Sequence, residues 1–90
     1  MGVKSEISWK RRGEDGVRRE VYARRANFIW SFFVRERRFD CWEPLRQPPL
    51  EDWLELLDAV RRRVQRRLLQ PDDEERLRRT IVERFPEAKV

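Results

Sequence analysis

Seven side chains within the first 35 residues have the types and spacing to meet a polyanion. Lys10, Arg12, Arg18, Arg24 and Arg35 carry positive charge, and Tyr22 and Phe33 carry flat rings. Cations neutralise phosphates and aromatic faces stack on unpaired bases, a combination suited to single-stranded nucleic acid. Other chemistries lack their residues. The chain holds no His, so the usual general base near neutral pH is missing, as are the Ser-His-Asp and Cys-His arrangements and the common nitrogen ligand of zinc. Cys41 is the one cysteine, which excludes a disulfide within the chain. Between Asp40 and Trp42, with only the cations Arg37 and Arg38 near it, this thiol reads as a small buried hydrophobe. Asp72 to Glu75 reads as a helix start rather than a set of hard-metal ligands, and Gly2, Gly13 and Gly16 form no phosphate loop. These residues point away from an enzyme, and they imply no metal, no other cofactor and no small-molecule substrate.

Charge supports the same partner class through its distribution. The 22 Lys and Arg outnumber the 17 Asp and Glu, for a formal net charge of +5. Residues 1–46 hold 12 basic and 7 acidic side chains, whereas residues 47–90 hold 10 of each, so the excess lies entirely in the first half. Arginine supplies 19 of the 22 cations, a bias that coding composition also produces, so pattern carries more weight than the total. The densest positive run, Arg61 to Arg67, reads as a solvated helix end, because Glu51, Asp52, Glu55 and Asp58 open the same helix.

A chain that is 43% charged but holds four Trp, five Phe and a Tyr has the aromatics a disordered chain lacks, and 90 residues suit one domain spanning 1–90. The start of the sequence turns polar at once and lacks a secretory signal. The longest near-apolar run, Phe28 to Val34, is far shorter than the roughly 20 residues of a membrane span. The expectation is a cytoplasmic protein with no membrane partner.

Placing these side chains requires strands in the first half. Glu6 to Arg11 alternates apolar with polar, Gly13 to Gly16 supplies turn chemistry, and Val17 to Ala23 alternates again, which predicts a hairpin. After a polar break at Arg24 to Asn27, Phe28 to Val34 gathers β-branched and aromatic residues and predicts a third strand. A short fourth strand is predicted over Phe39 to Glu43, closed by Pro44. The second half reads as helices. Leu50, Trp53, Leu54, Leu57, Val60, Val64 and Leu68 recur at helical spacing after Pro48-Pro49. Gln70-Pro71 ends that helix, and Asp72 with Glu75 has the form of a capping box for a second, which carries Leu77, Ile81 and Phe85 inward. Glu74 with Arg78, and Glu75 with Arg79, are spaced as ion pairs. The predicted fold is therefore α+β: an antiparallel meander of three to four strands over about 4–45, then helices over about 49–69 and 72–85 packed on one face.

Strand parity divides the sheet into two faces. Ile7, Trp9, Val17, Val21, Ala23, Phe28, Trp30, Phe32 and Val34 form the core side. The opposite side holds Lys10, Arg12, Arg18, Tyr22, Arg24, Ile29, Phe33 and Arg35, and one helical layer covers only one of the two. Two partners fit this second face: single-stranded nucleic acid, or a protein, including a second copy of the chain in an isologous dimer. Four strands followed by a helix, with Leu50, Trp53 and Leu57 where such a helix begins to pack, is similar to the architecture of the Whirly single-stranded-DNA binders. That likeness is one of architecture, without a shared motif, and the second helix here departs from the pattern.

Overall fold

Alternating stretches become strands and helical repeats become helices, in the predicted order. The computed structural model describes residues 5–13, 15–37 and 40–90. Strands β1 (Ser5–Arg12), β2 (Arg18–Ala26), β3 (Ile29–Arg35) and β4 (Glu43–Leu45) precede helices α1 (Leu50–Gln65) and α2 (Pro71–Arg84). The strands form one antiparallel meander in the order β1-β2-β3-β4, and the fold is α+β. The chain divides into two compact units, one ending at Pro48 and the other beginning at Pro49.

In the sheet unit, pairing fixes which side chains share a face. Ile7 lies opposite Ala23, Ala23 opposite Phe32, and Phe32 opposite Leu45. Of this row Ile7, Ala23 and Phe32 are buried, as is Val21 in the adjoining row, where Trp9 and Val34 flank it. The core parity read from the sequence therefore holds at the centre of the sheet. It fails at the ends. Phe28 lies in a turn and is exposed, Trp30 is half-buried, and Val17 precedes β2 and is exposed.

The turns account for the strand boundaries. Between β1 and β2 Gly16 takes φ 78°, open to glycine, and Asp15 Oδ1 accepts a hydrogen bond from Val17 N at 3.0 Å. The predicted polar break at Arg24 to Asn27 is not a break: Arg24 to Ala26 continue β2, because β1 pairs with Arg24 and Arg25 and β3 pairs with all three. The turn is Asn27-Phe28, both in left-handed backbone at φ 52° and 68°. The fourth strand is Glu43–Leu45 rather than Phe39 to Glu43, and Phe39 lies outside the described residues. Pro44 sits inside this strand, which an edge position tolerates because one side of an edge strand needs no N–H donor.

In the helical unit α1 buries Asp52, Trp53, Leu56, Leu57, Ala59 and Val60. Leu54 and Leu68 of the predicted stripe are exposed instead: Leu54 lies off the stripe that runs through Trp53, Leu57 and Val60, and Leu68 lies beyond the helix end. The helix stops at Gln65 and not near 69. Arg67 adopts φ 61°, Arg67 N donates to Val64 O at 3.0 Å and Leu68 N to Arg63 O at 2.8 Å, a Schellman ending with arginine where glycine is usual. Pro71 opens α2 rather than closing α1, and the capping box moves with it to Gln70 and Asp73, with Gln70 N donating to Asp73 Oδ2 at 2.9 Å. Leu77 and Ile81 are buried as expected, whereas Phe85 is only half-buried. Glu75 pairs with Arg79 as predicted, at 3.4 Å. Glu74 does not pair with Arg78: it reaches Arg61 of α1 at 3.3 Å, while Arg78 takes Glu75 at 3.4 Å.

Two predictions follow from the hairpin turns. Phenylalanine in left-handed backbone costs on the order of 1–3 kcal/mol, against which glycine's larger unfolded-state entropy costs about 0.5–1 kcal/mol. The balance, about 0–2.5 kcal/mol, means that Phe28→Gly is expected to hold or raise the melting temperature in calorimetry, by about 4–8 °C for each kcal/mol of strain relieved, and a lower value contradicts the strain. At the other turn, Arg19 hydrogen bonds and then the Val17 N–H hold the Asp15 carboxyl below its ordinary range. A lowered folded value means stabilisation present above the unfolded carboxylate value of about 3.9 and lost as pH falls through the folded one. The melting-temperature gap between wild type and Asp15→Asn should be flat above about pH 5 and shrink below about pH 4. A gap independent of pH contradicts this role.

Candidate nucleic-acid interface on the sheet

All seven residues selected from the sequence fall on one face of the sheet. Pairing sorts them into rows that cross the strands. Arg12 lies opposite Arg18; Lys10 opposite Glu20, and Glu20 opposite Arg35; Ser8 opposite Tyr22, Tyr22 opposite Phe33, and Phe33 opposite Pro44; Glu6 opposite Arg24, and Arg24 opposite Ser31; and Ala26 opposite Ile29. Neighbouring rows lie about 6.8 Å apart, two residues along a strand. An aromatic row is thus bordered on both sides by rows containing cations.

The rings are held by one another. Tyr22 and Phe33 stack with centroids 4.9 Å apart and planes 17° apart. Trp42 meets Tyr22 edge-on at 4.8 Å, and the Arg35 guanidinium lies 4.2 Å from the centre of the Trp42 ring. Such ring pairs contribute about 0.5–1.5 kcal/mol each beyond the area they bury. Tyr22, Phe33 and Trp42 are all half-buried, so the rings are neither enclosed nor fully open. A depression of about 410 Å³ opens beside them, lined by Glu6, Ile7, Ser8, Tyr22 and Trp42.

Trp42 is an aromatic of this face that strand alternation alone does not select. Its place follows from the late start of β4, since a residue two before Pro44 shares the parity of Pro44 and so the side of Phe33. Two residues before Trp42, Asp40 Oδ2 accepts a hydrogen bond from Arg37 N at 3.1 Å.

The cations differ in how far they are committed. Arg35 donates to Glu20 at 3.0 Å besides covering Trp42, so its charge is largely used within the fold. Glu20 is therefore occupied and leaves its other neighbour, Lys10, in excess. Among the described residues no acid pairs with Lys10, Arg12, Arg18 or Arg24 within ion-pair distance. Lys10, Arg12 and Arg18 are exposed, and Arg24 is half-buried, its Nε shielded from solvent without a hydrogen-bond acceptor.

Other features do not assemble into sites. A second depression, of about 490 Å³, is lined by Arg19, Val34, Arg35, Glu36, Asp40, Cys41 and Glu43. Its three carboxylates outnumber its two guanidinium groups, and Arg19 is already bound to Asp15 at 2.8 Å and Glu36 at 3.3 Å, so it does not suit an anion. Cys41 is exposed, not the buried hydrophobe expected, because it falls in the loop before β4 rather than within a strand. In the Arg61 to Arg67 run, Arg62 pairs with Asp58 at 3.0 Å and Arg61 with Glu74. Among the described residues no group of three potential metal-ligating side chains converges, and no helix is long and apolar enough to cross a membrane.

Comparison of the chain with protein-family models, curated proteins and solved structures found no match. The face must therefore be read from its own chemistry.

If Trp42 organises the rings, Trp42→Ala should destabilise the protein by about 1–3 kcal/mol in denaturant, through lost ring and cation contacts. Cys41→Ala, on its exposed neighbour, should cost less than about 0.5 kcal/mol. Equal effects of the two substitutions contradict that role.

Proposed function

We propose that the protein is a small non-enzymatic binding module that takes single-stranded nucleic acid across the exposed face of its sheet. Tyr22 and Phe33, with Trp42 beside them, offer ring surface to bases, while Lys10, Arg12, Arg18 and Arg24 meet phosphates and Arg35 braces the aromatic row. The observation that carries this reading is the row order: rings at the centre, uncommitted cations on either side, on one face. Bases stack on any π face, so such an arrangement binds with little sequence preference. A cytoplasmic setting agrees with the lone exposed thiol of Cys41, which stays reduced there.

Charge favours a polyanion over a second copy of the chain as the occupant of this face. It carries five cations, Lys10, Arg12, Arg18, Arg24 and Arg35, and two carboxylates, Glu6 and Glu20. A two-fold dimer would lay this excess of positive charge on itself, whereas a polyanion neutralises it.

Fluorescence anisotropy with a labelled single-stranded oligonucleotide at two salt concentrations tests the reading. Four phosphate contacts predict a slope of log affinity against log salt of about −3, and Lys10→Ala should make it shallower by about 0.7. Tyr22→Ala should weaken binding about 5- to 150-fold, the loss of one stacked base, with a smaller change in slope. No binding even at low salt rejects the proposal, and a mass that rises with concentration in light scattering favours the dimer instead.

A further inference from the structure

The β2–β3 turn is at odds with the backbone it must adopt. A two-residue turn with both residues at positive φ favours Asn-Gly, and this chain places Asn27 at φ 52° and Phe28 at φ 68°. The strain is not repaid by deep burial, since Phe28 remains 63% exposed and the adjoining Ile29 68% exposed. Strained backbone carrying an exposed apolar side chain points to a role outside the fold. Ile29 shares a face with Tyr22 and Phe33, so the tip ends the same surface that carries the aromatic row. One cation stands behind this tip on that face: Arg24 lies opposite Ser31, whereas Arg25 lies opposite Trp30 on the other side of the sheet, with its guanidinium 5.9 Å from the ring centre.

We propose that the Phe28-Ile29 tip is a wedge that enters between neighbouring bases of a nucleic acid lying on the sheet face. Phe28 separates two stacked bases, Ile29 supports it from the side of the sheet, and Arg24 neutralises a flanking phosphate. Apolar side chains inserted at base steps partly unstack them, and the nucleic acid then bends to cover more protein surface. The inference rests on the nucleic-acid reading of the sheet. Continuity with the aromatic and cationic rows favours this occupant over an anionic bilayer, which takes up apolar area in proportion to its extent and would gain little from two side chains.

The test uses a single-stranded oligonucleotide containing 2-aminopurine, whose emission rises on unstacking, together with anisotropy on the same strand. Wild type should raise the emission, and Phe28→Gly should lose most of that rise while weakening affinity no more than about fivefold, because the sheet contacts persist. Phe28→Asn, a second residue at ease in left-handed backbone, should behave as Phe28→Gly does, so loss of the signal does not depend on one variant folding. Binding with no emission rise, or a rise unaffected by both substitutions, overturns the wedge and leaves the sheet-face proposal standing. Absence of any binding overturns both, and Phe28-dependent sedimentation with phosphatidylglycerol vesicles would then assign the tip to a lipid surface.

Discussion

The stack of Tyr22 on Phe33 is the contact on which the exposed face depends. It joins the two central strands at 4.9 Å, receives Trp42 from the loop before β4, and through Trp42 reaches Arg35 and Glu20. It exists only in one register. Because side chains alternate, a one-residue slip of β3 against β2 would bring Phe32 to this face and carry Phe33 toward the buried Val21 and Ala23. Two turns hold the register, one through Asp15 and Gly16 and the other through left-handed backbone at Asn27 and Phe28.

Uncommitted charge on this face arises from how strands and helices place their neighbours. On α1 and α2 acids and arginines lie three or four residues apart, or face each other across the two helices, so Arg61, Arg62, Arg76, Arg78 and Arg79 all find carboxylates. On the sheet a cation meets only the residues beside it in its row. Arg12 faces Arg18, Arg24 faces Glu6 and Ser31, and Lys10 faces a glutamate already held by Arg35. In the densest arginine run Arg61 and Arg62 meet carboxylates, and the helical half balances its 10 basic with 10 acidic residues, whereas the excess positive charge lies in the half that forms the sheet.

Much of this was legible in the sequence, because side-chain alternation is a local property. Val21, Ala23 and Phe32 against Tyr22 and Phe33 separate by parity alone, and Leu57, Val60, Leu77 and Ile81 by helical spacing. Departures occur where a distant partner overrides a local signal. Pro44 looked like a terminator but lies on an edge; Arg24 and Arg25 looked like a loop but have strands on both sides to pair with. Arg67 ends α1 in a conformation usually left to glycine, and Phe28 occupies a turn position of the same kind, so neither ending carried a composition signal. Trp42 was missed as part of the face because its side is set by the start of β4, which the sequence placed four residues too early.

An NMR titration of the full chain with an unlabelled single-stranded oligonucleotide tests most directly whether the face defined by Tyr22 and Phe33 is the binding surface. Amide and side-chain shifts should move along Lys10, Arg18, Tyr22, Arg24 and Phe33, and stay still at Arg62, Arg66 and Arg79 on the helices. Shifts concentrated on Arg61 to Arg67, or none at saturating oligonucleotide, would contradict the assignment of function to the sheet.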